Sequence, residues 1–184
     1  MPDTPRHASS WPPIIVVMGV SGAGKSTVAE QLAARFRCPF ADGDEFHSAS
    51  NIAKMRAGTP LTDADRQSWL EAIAARINVW RAGGGGGIVA CSALKRAYRR
   101  IITGGKPDVT LVYLRGDPAL IHRRLIERRH HFMPASLLDS QFATLEEPGA
   151  DEHPIVLDAA KAAPDLVADV WGALHGDRVT DRRA

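Results

Sequence analysis

Two hydrophobic rhythms alternate along the chain. Short apolar runs rich in β-branched residues, bounded by turn formers, recur between stretches whose apolar positions return every three or four residues. That alternation is the mark of βα units closing a mainly parallel sheet. Five strands are expected, at Ile14–Met18, 39–41, 88–91, 109–114 and 155–157, buried on both faces by the helices between them. A helical pattern over 27–36 follows the first strand. Thr62 with Asp65 three residues on reads as a helix start, and Leu70, Ile73, Ile77 and Trp80 recur at helical spacing until a glycine run begins at Gly83. Asp117 before Pro118 is a cap followed by proline at the first helical position, with Leu120, Ile121 and Leu125 on the apolar face. Pro164 opens the last helix, whose stripe is Leu166, Val167, Val170, Trp171 and Leu174. These stripes read as core. The run 83–87 has no Lys-Ser after it and precedes a strand, so it reads as a flexible connector.

Composition narrows the possibilities. At 184 residues and 45% hydrophobic content the chain is long enough for one substantial core, and no repeat or change of composition marks a second domain. The domain is expected over 14–175, with polar, proline-containing or charged tails at 1–13 and 176–184 that should be disordered. Lys and Arg outnumber Asp and Glu by 23 to 21, too little for the field of a dedicated nucleic-acid binder, so no nucleic-acid partner is expected. No apolar run is long enough for a membrane span. The two cysteines, Cys38 and Cys91, stand outside any paired spacing, which argues against a disulfide framework and suits a reducing cytoplasm.

The sharpest chemical signal is Gly19-Val20-Ser21-Gly22-Ala23-Gly24-Lys25-Ser26, placed directly after the first strand and before the helix that begins near Thr27. It matches the phosphate-binding Walker A pattern in full and in the right context. Glycines let the backbone curl until its N–H groups face phosphate oxygens, and the helix N-terminus adds partial positive charge. Lys25 is expected on the β- and γ-phosphates and Ser26 on Mg²⁺. The loop alone does not separate kinases from other nucleotide-binding proteins, but no guanine-reading Asn-Lys-x-Asp and no transporter signature is present. After the second strand, Asp42-Gly43-Asp44 places two carboxylates on one side of an extended segment. Asp42 suits the Mg²⁺ shell through water, and Asp44 suits the attacking hydroxyl, whose proton it would orient or take.

The run Asp42-Gly43-Asp44-Glu45-Phe46-His47, then Asn51-Ile52-Ala53-Lys54-Met55, Gly58-Thr59-Pro60-Leu61, 63–70, Cys91-Ser92-Ala93-Leu94-Lys95 and the late segment 141–152 together closely resemble gluconokinases of the thermoresistant type. The resemblance implies ATP-dependent phosphorylation of D-gluconate to 6-phospho-D-gluconate, serving gluconate use and the pentose phosphate route. It implies a three-layer P-loop kinase fold similar to shikimate and nucleoside monophosphate kinases, with a five-stranded parallel sheet, a substrate region near 43–82 and a mobile lid near 128–146. It also implies a homodimer. Another small-molecule kinase of the same architecture, or a non-catalytic nucleotide switch, remains open at this point.

Cations are needed beside two anions, the ATP phosphates and a sugar-acid carboxylate. Arg66 stands at a place similar to a substrate-binding arginine of shikimate kinase. Lys95 and Arg99, four apart, would share one helical face beyond the third strand, and His47 and Ser92 would serve sugar hydroxyls. The densest basic cluster runs from Arg115 to His131. Its Arg124-Leu125-Ile126-Glu127-Arg128 resembles the lid entry of nucleoside monophosphate kinases, which implies that Arg124 stacks on adenine and Arg128 acts as an internal arginine finger. His130 stands where gluconokinases often have glycine, and 131–134 is expected to begin the returning lid helix. The expected cofactor set is therefore ATP and Mg²⁺. The phosphates would meet Gly19, Ser21, Gly22, Ala23, Gly24, Lys25, Ser26 and Thr27.

Overall fold

The computed structural model describes residues 12–127 and 135–176. In chain order the elements are β1 (Ile14–Met18), α1 (Lys25–Phe36), β2 (Phe40–Asp42), α2 (Ala49–Arg56), α3 (Asp63–Ala82), β3 (Gly87–Ala90), α4 (Arg96–Thr103), β4 (Val109–Arg115), α5 (Pro118–Glu127), α6 (Ala135–Thr144), β5 (Ile155–Asp158) and α7 (Ala163–His175). The five strands form one sheet in the order β2-β3-β1-β4-β5, and every pairing is parallel. In register, Ile15 of β1 lies between Ile88 and Thr110.

β1 shows why the sheet is buried on both sides. Ile15 and Val17 join a cluster with Val28, Leu32, Phe36, Leu166 and Val170 of α1 and α7. Ile14, Val16 and Met18 join the opposite cluster with Trp69, Leu70, Ile73, Ile77, Tyr98 and Ile102 of α3 and α4. Alternation with period two sends successive side chains to the two faces, so one continuous apolar strand serves both cores. The α3 start is a capping box: Thr62 accepts from the Asp65 N–H at 3.2 Å while the Asp65 carboxylate accepts from the Thr62 N–H at 2.9 Å. Among the described residues no helix is long and apolar enough to cross a membrane.

Four of the five expected strands differ from the observed ones by a residue at one or both ends. The glycine run differs in kind. Gly83 closes α3, but Gly87 is the first residue of β3 and pairs with Ile14. A Cβ on Gly87 would stand 2.2 Å from the Trp80 ring, so the glycine is there to let α3 lie against the strand. The run is half a packing device, not simply a flexible connector. The expectations for 1–11, 177–184 and 128–134 fall outside the described residues, and with them Arg128, His130 and His131.

Candidate functional site

A cleft of about 230 Å³ opens where β1, β2 and β3 end, at the carboxyl edge of the sheet, where loops rather than strands decide what is bound. Ser21, Gly22, Gly24, Lys25, Ser26 and Thr27 line one side. Asp42, Asp44, His47, Met55, Thr59, Leu61, Arg66 and Trp69 line the other, joined by Ser92, Ser140 and Gln141.

The phosphate loop is curled as its glycines require, with φ 85° at Gly22 and 95° at Gly24. Not every loop N–H faces the cleft. Gly19 donates to Ser92 O at 3.4 Å and Ala23 to Val20 O at 3.2 Å, and Ala23 is buried. Those two expected phosphate contacts are therefore spent on shaping the loop. Lys25 Nζ donates to Val20 O at 3.1 Å, which keeps the ammonium over the loop.

The two aspartates are not aligned along an extended segment as expected, because residues 43–46 form a 3₁₀ turn. Asp42 caps that turn: its Oδ1 accepts from the Asp44 N–H at 3.0 Å, while its Oδ2 accepts from Ser26 Oγ at 2.8 Å. Trp69 Nε1 donates to Gly43 O at 2.6 Å and fixes the turn from α3. Both carboxylates still line the cleft. The Ser26 hydroxyl and Asp42 carboxylate form an all-oxygen pair of the hard kind that suits Mg²⁺, which takes few protein ligands when phosphate and water complete its shell.

Opposite the loop, the His47 and Trp69 rings stack with centroids 4.4 Å apart and planes at 10°. Among the described residues, His47 Nδ1 is a buried side-chain polar atom with no hydrogen-bond partner, a state that normally calls for a ligand or water. Burial pushes the imidazole pKa below its ordinary value, the Asp44 carboxylate opposes that, and Arg66 reinforces it. Arg66 is half-buried, lines the cleft and donates to Leu61 O, with its guanidinium carbon 5.7 Å from the Tyr98 ring centroid. Cys91 is fully buried, with its thiol pushed up to about 12 chiefly by burial, so it presents a neutral wall.

Two of the three expected substrate cations are placed elsewhere. Arg99 is only 2% exposed and lies in the interior. Its fork binds Glu152 at 2.6 and 2.8 Å, and Nη1 donates to Ala93 O, Leu94 O and Glu146 O. It is a structural hub and not a substrate ligand, because its donors are committed to the fold. Lys95 is the N-cap of α4 and not a member of its helical face, so it shares no face with Arg99. Its ammonium sits 2.8 Å from both Asp63 oxygens, and that hydrogen bond is the main reason the Asp63 carboxyl lies below its usual range. Arg124 lies outside the cleft lining and donates to Ala159 O at 2.7 Å, bridging α5 to the loop after β5.

Trp69 and Gln141 were not singled out from sequence as site residues. An indole in a helical stripe reads as core, and a lone glutamine on a helix carries no signal until its neighbours are known.

A family profile described as an AAA domain matches residues 14–148. The chain is 44% identical over 158 residues to the gluconokinase of Gluconobacter oxydans, covering 86% of this chain and 88% of that protein. A crystal structure of a sugar kinase from Janibacter sp. superposes with a TM-score of 0.83 at 43% identity, covering 90% of this chain and 95% of that one. A gluconokinase structure from Sinorhizobium meliloti superposes at 0.81 with 40% identity, covering 91% and 94%.

Proposed function

Since the chain belongs to the gluconokinase family, we propose that the cleft between the phosphate loop and α3 is where it joins ATP to its acceptor. The enzyme is a phosphotransferase that uses ATP to phosphorylate an alcohol group of D-gluconate. What supports the assignment of roles is one juxtaposition: a triphosphate cradle with Lys25 and Ser26 faces Asp44, His47 and Arg66 across a single cavity.

In this reading the N–H groups at Gly22, Gly24, Lys25, Ser26 and Thr27 bind the β- and γ-phosphates, with Lys25 neutralising charge on the bridging and terminal oxygens. Ser26 and Asp42 hold Mg²⁺, the latter through water. When bound, that ion supplies Lewis-acid stabilisation of the phosphate charge. Arg66 pairs with the gluconate carboxylate, being the cation of the three expected that lines the cleft. His47 and Ser92 bond sugar hydroxyls. Asp44 orients the terminal hydroxyl, whose oxygen bonds to the γ-phosphorus as the bond to the ADP oxygen breaks, and the hydroxyl proton passes to Asp44. The segment 43–82 is the acceptor-binding region. Adenine is assigned to the face of the Arg124 guanidinium, which the hydrogen bond to Ala159 O holds in place. Arg128 is assigned to the transferring phosphate from its sequence position alone. A reducing cytoplasm suits the free thiols Cys38 and Cys91, and the homodimer rests on the family resemblance.

A coupled assay with ATP, Mg²⁺ and a panel of gluconate, shikimate and a nucleoside monophosphate tests the acceptor. Gluconate is expected to be turned over fastest, and equal turnover of shikimate would reject the assignment. Lys25→Ala and Asp44→Asn are each expected to lower kcat by about 10²-fold or more with the fold retained, which circular dichroism checks.

A further inference from the structure

We propose that Gln141 is a positioning residue for Lys25, acting through a single peptide plane of the phosphate loop. The inference rests on the reading of this loop as the ATP cradle. Gln141 Oε1 accepts from the Ser21 N–H at 2.7 Å, and Gln141 Nε2 donates to Ser21 Oγ at 3.1 Å, across a sequence separation of 120 residues. The Ser21 N–H belongs to the same planar unit as the Val20 carbonyl, and in a trans peptide the two point in opposite directions. Val20 O is the acceptor for Lys25 Nζ at 3.1 Å and for the Ala23 N–H at 3.2 Å. Pinning the N–H end of this plane therefore fixes where its oxygen points, and the oxygen is an anchor for the ammonium. A glycine-rich turn has several peptide orientations open to it, so the external hold selects one.

The chemistry asks for an amide of this length. As placed, the amide oxygen accepts from the N–H while the amide nitrogen donates to the hydroxyl; a carboxylate would bring a negative charge and reverse the second bond, and asparagine is one methylene shorter. The hold is firm because its base is firm. Leu138, one turn earlier on α6, is fully buried. Just beyond α6, Glu146 N donates to Leu94 O at 2.9 Å, the Glu146 carboxylate accepts from the Arg96 N–H at 2.7 Å, and Arg99 binds Glu146 O at 2.8 Å. The buried Arg99 hub thus holds the end of the helix that aims Gln141.

The test is a double-mutant cycle read by calorimetric binding of a non-hydrolysable ATP analogue with Mg²⁺, which requires no turnover. Gln141→Met, close in length and without hydrogen bonds, is expected to weaken binding about 5-fold to 10-fold in the otherwise unchanged enzyme and by less than about 2-fold when Lys25 is already alanine. Gln141→Asn should give the same pattern through lost reach and covers the case in which the methionine variant does not fold. In steady-state kinetics the KM for ATP should rise with that for gluconate unchanged. Equal losses in both backgrounds, or no loss in either, would overturn the role. An enzyme that binds the analogue with this pattern yet leaves gluconate untouched would sink the acceptor assignment while leaving Gln141 in place.

Discussion

His47 shows how one residue lining the cleft carries a pH response. Its ring is held flat against Trp69, its Nδ1 is buried without a partner, and desolvation is the first cause of its lowered pKa. The neutral imidazole is thus the form that fits the cleft at neutral pH. In the unfolded chain the same group takes up its proton near pH ~6.5, whereas the folded protein resists until a lower pH. Stability is therefore unaffected by this group above about pH 6.5, falls as pH drops from there to the folded pKa, and changes no further below it. Melting temperatures measured at pH 7.5 and 5.5 should show a smaller acid-induced drop for His47→Gln than for the parent. An equal or larger drop would show that this imidazole is not the group being desolvated.

At the level of elements, Arg99 joins α4 to the segment between α6 and β5. It does so with a buried ion pair to Glu152, whose carboxyl lies below its usual range mainly because of the arginine hydrogen bond. Arg99→Leu leaves Glu152, 14% exposed, facing an apolar side chain. Loss of one partner from such a pair costs about 3 kcal/mol, which should appear as a clear fall in the urea midpoint while the KM for gluconate stays near its original value. A steep rise in that KM at unchanged stability would return Arg99 to the substrate side. The error in reading Lys95 and Arg99 as one helical face has a simple origin. Spacing of four implies a shared face only inside a helix, and α4 begins one residue after Lys95. The start of α3 was legible because a capping box is made within four consecutive residues.

On the scale of the whole molecule, the sheet puts the loops after β1, β2 and β3 at one edge and so brings the phosphate loop opposite α3. A ligand bound there holds the two sides together and favours the folded state over the unfolded one. At about 100 times its dissociation constant it contributes about 2.7 kcal/mol, so gluconate with an ATP analogue should raise the melting temperature by roughly 5–10 °C. The same additions to Lys25→Ala should raise it less. No shift in the parent protein would show that the cleft is not where these molecules bind.

Residue order alone determined the parallel α/β fold and the phosphate loop, because each is written in contiguous residues whose backbone preferences and period act locally; the 3₁₀ turn at 43–46 was not among them. Only the tertiary structure decided that Arg66 faces the cleft while Arg99 is a buried hub, that Lys95 is held by Asp63, and that Gln141 reaches the loop. Those outcomes depend on partners tens of residues away, such as Glu146 and Glu152 for Arg99. A side chain's charge states what it is able to bind, but the neighbour that reaches it first in the packed chain settles what it does bind.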